Sequence, residues 1–256
     1  MLKTKYLLLC ASLLFTSTVF TACDDDDDSS SSTEKLLKST TETSYEVNDG
    51  EIGTSDGSDV CTYTYDSKGR VIGLTEGDSY TCVISYNGNH VKTIKTSTEN
   101  GKTTTKIDTS ALLNEEGNII RYTTEDETSE GVEFEDTVFN SYENGFLISE
   151  KWKNHSYTFT YENNCLKTRN NDGLVTYYYT DETTTNPIVS KGNWEGKILS
   201  GKRSAYLPVK EVYDNDYYSF KWTLDAEGYP VKSEMRGYDS SNSKLREYSV
   251  TTYTWQ

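Results

Sequence analysis

Cys61-Thr-Tyr-Thr-Tyr-Asp-Ser-Lys-Gly-Arg-Val-Ile-Gly-Leu74 reads as a strand, a turn and a second strand. Cys61, Tyr63 and Tyr65 alternate with Thr62 and Thr64, the period of two that marks a half-buried antiparallel strand. Asp66-Ser-Lys-Gly69 then closes on a glycine. A type I turn followed by a residue at positive φ needs this, and it makes a three-residue hairpin with a G1 bulge. Val71 to Leu74 begins the return.

The unit recurs. VISYNGNHVKTI at 83–94, ALLNEEGNIIRY at 111–122, FNSYENGFLISE at 139–150, YTFTYENNCLKT at 157–168 and FKWTLDAEGYPVKS at 220–233 repeat it. Asn114 to Gly117 and Asp225 to Gly228 match the longer turn. Asn87-Gly88, Asn144-Gly145 and Asn163-Asn164 match the tighter type I′ turn, in which both central residues take positive φ. Tyr157, Phe159 and Tyr161 share one strand face, and burying such a ring is worth roughly 1.5–3 kcal/mol. One hairpin cannot hide its aromatic face alone, so neighbouring hairpins share a core. The fold class is therefore all-β: an antiparallel meander of tandem hairpins, curled into a barrel or strongly curved, water-soluble sheet. The repeat region carries no amphipathic helix. Its strands read as mostly shorter than the roughly 9–11 residues a bilayer demands. Their second faces carry Thr, Lys and Glu instead of apolar side chains.

Composition agrees. Tyr numbers 21 and Pro only 3, which favours pleated strands over helices. The formal net charge is −16, and no basic stripe interrupts it, which excludes nucleic acid as a partner and leaves anionic headgroups repelled.

The N-terminus gives an address. Lys3 and Lys5 precede an apolar run of about 14 residues, Leu7 to Phe20, too short to span a bilayer as a helix. Phe20-Thr-Ala-Cys23 resembles the lipobox of bacterial lipoproteins, which implies cleavage after residue 22 and acylation of Cys23. Asp24 to Asp28 and Ser29 to Ser32 repel or solvate themselves, so residues 23–38 read as an acidic, Ser-rich tether. An acidic run directly after a lipidated cysteine resembles the surface-export signal of lipoproteins in Gram-negative gut anaerobes. The expected location is the outer membrane, held by the lipid alone and facing the exterior. Residues 39–256 then form a single all-β domain. One stretch, 181–209, holds two of the three prolines and no sustained alternation, and reads as an irregular excursion with a short helix around Trp194 to Leu199.

The Tyr-x-Tyr-Asp-x-x-Gly-Arg-Val hairpins, Asn186-Pro187-Ile188, Leu207-Pro208 and Asp225-Ala-Glu-Gly-Tyr-Pro230 resemble an uncharacterised family of secreted lipoproteins. The resemblance covers about 60–256 and implies a porin-like β fold with no assigned activity.

Catalytic chemistry is hard to find. The position after each turn holds Arg70, His90, Asn118, Phe146, Cys165 and Tyr229, a slot without chemical requirement. His90 and Cys165 therefore read as structural or surface residues, and His155 as a loop residue. With two histidines in the chain, a Ser-His-Asp or Cys-His device has no frame. Gly53-Thr-Ser-Asp-Gly57 matches the nucleophile-elbow string but lacks the strand-turn-helix context that makes it work. Asp214-Asn-Asp216 offers too few oxygens for calcium, and no cysteine pair has metal-ligand spacing. No catalytic residue, metal or cofactor is assigned. Cys61 and Cys82 are separated by a whole strand and read as free, buried thiols.

The best binding candidates are aromatic. Trp194 sits in the excursion, Tyr217 and Tyr218 are adjacent, and Tyr178 lies between two further tyrosines. Adjacent strand residues point to opposite faces, so one of each pair must leave the core. Exposed rings among polar neighbours suit sugars or partner proteins. The expected function is a non-catalytic binding or accessory module for a glycan or an outer-membrane protein complex. A carboxylate-based hydrolase acting on surface glycans and a structural scaffold are the alternatives.

Overall fold

The structure is a computed structural model. It describes residues 35–256 apart from 100, 129–130, 154, 171–172, 184–203 and 205. The described residues form sixteen strands and no helix. In chain order they are β1 (Leu37–Asn48), β2 (Glu51–Tyr65), β3 (Val71–Glu76), β4 (Tyr80–Asn87), β5 (His90–Glu99), β6 (Lys102–Leu113), β7 (Ile119–Thr128) and β8 (Gly131–Glu143). They continue as β9 (Phe146–Trp152), β10 (His155–Glu162), β11 (Cys165–Asn170), β12 (Leu174–Thr183), β13 (Tyr206–Val212), β14 (Asp216–Leu224), β15 (Pro230–Asp239) and β16 (Leu245–Trp255). Each pairs antiparallel with its sequence neighbours, and β16 returns to β1 to close a barrel. Leu36 and Gln256 exchange both backbone hydrogen bonds at the seam, at 2.9 and 2.8 Å.

The alternation seen in the sequence becomes the two faces of one wall. Tyr63, Cys82, Ile84, Val91, Ala111, Tyr122 and Val138 point inward and are buried. A round sixteen-stranded barrel leaves an aqueous channel. Here Leu207 of β13 lies in the same buried cluster as Val71, Ile84 and Ile119, so facing walls meet across the interior and fill it. Outward positions carry paired hydroxyls across the strands: Thr62 with Thr75, Thr123 with Thr137, and Thr160 with Thr168. The outward face also exposes Val60, Ile72, Val83, Phe139 and Leu174, so it is mixed and carries no continuous apolar band. The expectation of short strands is corrected: ten of the sixteen are nine residues or longer. Strand length therefore does not argue against a membrane-embedded wall.

One device recurs at the end of the barrel where the chain enters. The last aromatic of a strand donates its polar hydrogen to the carbonyl at the start of the preceding strand. Tyr65 donates to Leu37 at 2.6 Å, Tyr86 to Val71 at 3.0 Å and Tyr142 to Ile119 at 2.7 Å. Trp222 does the same to Pro208, and Trp255 to Pro230, both at 2.7 Å. Each bond satisfies a carbonyl at the barrel mouth while the ring body stays in the core.

The longer turns form as expected, with Gly69, Gly117 and Gly228 at φ of 75°, 81° and 85°. Asp66 Oδ1 accepts from the amides of Lys68 and Arg70, and Asp225 Oδ1 from those of Glu227 and Tyr229. Asn144-Gly145 and Asn163-Asn164 have both residues at positive φ. The tight turn at 87–90 is corrected: Asn87 pairs with His90, so Gly88 and Asn89 are central and only Gly88 is at positive φ, a type II′ pattern. Strand β1 begins at Leu37, and Lys35 before it is fastened to the β14–β15 turn. Its ammonium lies 3.3 Å from Asp225 and 2.9 Å from Glu227, and its amide donates to the Tyr229 hydroxyl at 3.1 Å. β12 and β13 occupy both ends of the irregular stretch, pairing Thr183 with Tyr206. Residues 184–203, with the expected short helix, lie outside the described residues. Pro208 sits at a bulge, where a missing amide is tolerated.

Burial pushes the Asp66 and Asp225 carboxyls upward, but the turn amides and Arg70 or Lys35 outweigh it, and both stay below the ordinary 3.8. A depressed carboxyl contributes stability above its unfolded value, and that contribution is lost as pH falls through its folded value. The Asp66→Asn/Asp225→Asn variant keeps the turn acceptors, as Asn114 does, and removes only the charge. Urea unfolding against pH checks this. At neutral pH the variant loses under about 1 kcal/mol per site, and the gap to the parent closes in acid below pH 3.8.

Candidate functional site

Tyr177, Tyr178 and Tyr179 show how the wall sorts side chains. Tyr177 is inward and 4% exposed, and Tyr179 turns inward to bond the Ser204 hydroxyl at 3.1 Å. Tyr178 is outward and 47% exposed. Tyr217 and Tyr218 divide in the same way. Tyr217 faces outward and stacks on Tyr238 of β15, with centroids 4.8 Å apart and 15° between planes. Tyr218 faces inward, edge-on to Tyr213 at 5.5 Å, and burial, helped by Glu247, Asp216 and Glu211, raises its hydroxyl to about 12. Tyr218 therefore lies apart from the outer face. Trp194 and Cys23 fall outside the described residues.

Register brings Tyr178 into a row that local sequence does not reveal. Tyr178 pairs with Lys210, Lys210 with Ser219, Ser219 with Arg236, Arg236 with Tyr248, and Tyr248 with Tyr45. These six residues lie on six successive strands, β12 to β16 and then β1. The Tyr217–Tyr238 stack stands one step further from the chain-entry end. Lys210 Nζ sits 4.5 Å from the Tyr217 centroid, the Arg236 guanidinium 5.5 Å from that of Tyr248, and Tyr45 and Tyr248 are 5.1 Å apart. The row is thus an outer stripe of phenol rings with cations held against them. The nearby carboxylates are matched. Lys232 reaches Glu234 at 2.8 Å, a bond that draws the Glu234 carboxyl below and the Lys232 ammonium above their usual values. Arg246 bridges Asp216 and Asp239 at 3.2 and 3.3 Å.

Among the described side chains Glu150 and Glu211 are the most buried carboxylates, at 2% and 1% exposure, and the Tyr213 hydroxyl donates to Glu211 at 3.1 Å. Burial raises the hydroxyls of Tyr142, Tyr161 and Tyr177 well above the usual range, so these phenols stay protonated. A hydrolase needs two carboxylates that a substrate can reach, and neither Glu150 nor Glu211 is reachable from solvent. Cys61, Cys82 and Cys165 are buried and form no disulfide, and β3 lies between the first two as expected. Ser55 of the Gly53–Gly57 string lies within β2, paired with Tyr45 and followed by strand, which is not a nucleophile elbow. Among the described residues no three His, Cys, Asp or Glu side chains group as a metal site. The loop expectation for His155 is corrected: it opens β10, paired with Trp152, and its ring packs on that indole at 5.8 Å. His90 lines a shallow outer depression of about 320 Å³ with Ser85, Lys92, Ser110 and Arg121. The ring of Tyr86 beside it is covered by Arg70 at 4.1 Å.

Fold and surface together define a closed, inside-apolar β-barrel with an aromatic outer stripe. No protein-family model matches the chain, and no curated protein matches it. Among solved structures it is similar to a porin-like protein from Bacteroides uniformis ATCC 8492. That match has a TM-score of 0.62 at 18% identity and covers 86% of this chain and 96% of that one. A porin-like protein from Bacteroides vulgatus ATCC 8482 matches with a TM-score of 0.42 at 12% identity, over 87% of this chain and 99% of that one. The likeness to the first is one of fold.

The inward placement of Tyr218 depends on Gly237 opposite it. A Cβ on Gly237 would lie 2.8 Å from Tyr218 Cε1 and 3.2 Å from the Glu247 Cβ. Gly237→Ala is expected to cost about 1–3 kcal/mol in urea unfolding, and Gly237→Ala/Tyr218→Ala less than the sum of the two single changes.

Proposed function

We propose that this chain is a non-catalytic binding module anchored to the outer-membrane surface through Cys23, with a glycan or a partner protein as its ligand. The row from Tyr178 to Tyr45 carries this reading: outward-facing rings, Tyr178 exposed and the others half-buried, with the cations Lys210 and Arg236 held against them. The lipobox and the acidic tether support the anchor. Lys35 is pinned at one end of the barrel, so the eleven residues Asp24 to Glu34 set the reach from lipid to wall, at most about 40 Å. In this geometry the chain-entry end faces the membrane and the Tyr217–Tyr238 stack points away from it. Burial of Glu150 and Glu211 removes these two carboxylates from the hydrolase alternative.

Two measurements test the reading. Detergent phase partitioning should hold the parent in the detergent phase and release Cys23→Ala to water, while a surface-impermeant label reaches the parent on intact cells. A glycan array and a pull-down from outer-membrane extract should show a ligand that Tyr178→Ala/Tyr217→Ala loses; Trp194→Ala reports on the excursion. A parent that retains nothing in either assay contradicts the binding role.

A further inference from the structure

The chemistry of the row says more about its occupant, resting on the binding reading above. Strands are about 4.8 Å apart, so one side chain on each of six strands makes a line roughly 24 Å long, running across the strands. The line lies on the outside of a closed wall, open from above. Such a surface takes an extended polymer; a small molecule finds no enclosure there.

The row is also positive where the chain as a whole is not. Against a net charge of −16, Lys210 and Arg236 have no carboxylate partner among the described residues. Among the described residues, Glu234 is taken by Lys232, with the Tyr248 hydroxyl at 3.4 Å, and Asp216 and Asp239 by Arg246. The two free cations rest against the rings of Tyr217 and Tyr248, which restrains their stems and leaves their donors outward. A neutral polymer has no use for them. They stand two strands apart, roughly 10 Å, wider than the phosphate spacing of about 3.4 Å along each strand of a nucleic-acid duplex.

We propose that this row binds an extended anionic polysaccharide, its rings lying against Tyr178, Tyr248 and Tyr45 and its carboxylate or sulfate groups meeting Lys210 and Arg236. The bound chain runs across β12 to β16 and β1, perpendicular to the strands. Affinity falls with salt, because the contacts are exposed charges, and sparse negative charge along the polymer keeps repulsion from the acidic body small.

Hyaluronan, chondroitin sulfate, carboxyl-reduced hyaluronan and oligothymidylate serve as probes in binding titrations with the folded chain, at low and high salt. The expected result is binding of hyaluronan or chondroitin sulfate that weakens with salt. Lys210→Ala/Arg236→Ala should lower it about tenfold or more, with Lys151→Ala on β9 unchanged and all variants sharing the parent's near-ultraviolet circular dichroism. The two acidic glycans separate carboxylate from sulfate as the recognised group. Equal binding of carboxyl-reduced hyaluronan, or indifference to the double substitution, overturns the charge inference and leaves a glycan module standing. Tighter binding of oligothymidylate overturns the polysaccharide assignment. No binding of any polymer, together with an empty array and pull-down, removes the binding role as well.

Discussion

Sixteen strands whose inward positions are largely apolar make a wall with a side that water must not reach. No single hairpin can cover its own ring face, and an open meander would leave Leu37 and Tyr253 at unpaired edges. Pairing β1 with β16 removes both edges at once. It also lets Leu207 meet Val71, Ile84 and Ile119 across the interior. The interior is thereby spent on stability. The tyrosine and tryptophan bonds to Leu37, Val71, Ile119, Pro208 and Pro230 seal the same mouth of the barrel, so a ring can finish a strand without leaving a carbonyl unpaired.

This use of the interior decides where function can lie. Carboxylates that look apt for chemistry, Glu150 and Glu211, are held inside among protonated phenols. What faces solvent is the outer wall, and its composition is uneven: threonine pairs and scattered apolar side chains such as Val83 and Phe139 over β2 to β11, rings and cations over β12 to β16 and β1. The pinning of Lys35 beside Asp225 fixes the start of β1 against the β14–β15 turn.

Much of the fold was legible because period two is a local signal. Cys61, Tyr63 and Tyr65, or Tyr177 to Tyr179, declare their faces from sequence alone, and Asp66, Asn114 and Asp225 announce their turns. The β1–β2 hairpin was missed although Asp49-Gly50, both at positive φ, marks it, because its arms are polar and resemble no other unit. The turn at Gly88 was misplaced by one residue, since Asn87-Gly88 and Gly88-Asn89 are equally good turn pairs on paper. Strand lengths were underestimated, because ladders run on past the aromatic positions into Thr- and Glu-rich arms. Of the candidate site, the outward turn of Tyr217 or Tyr218 followed from alternation, but which of the two did not. The row itself could not be read at all. Its neighbours, Tyr45 and Tyr248 among them, are brought together by register across the closure.

The closure is the claim most directly open to measurement. Hydrogen exchange resolved to single amides, on residues 23–256 without detergent, reads it at β1 and β16. Amides of Thr40 to Tyr45 and of Tyr248 to Thr254 should be protected to the same degree as those of β4 and β5 in the middle of the sheet. Exchange of β1 and β16 as two frayed edges, with β4 and β5 still protected, would show an open sheet and contradict the account.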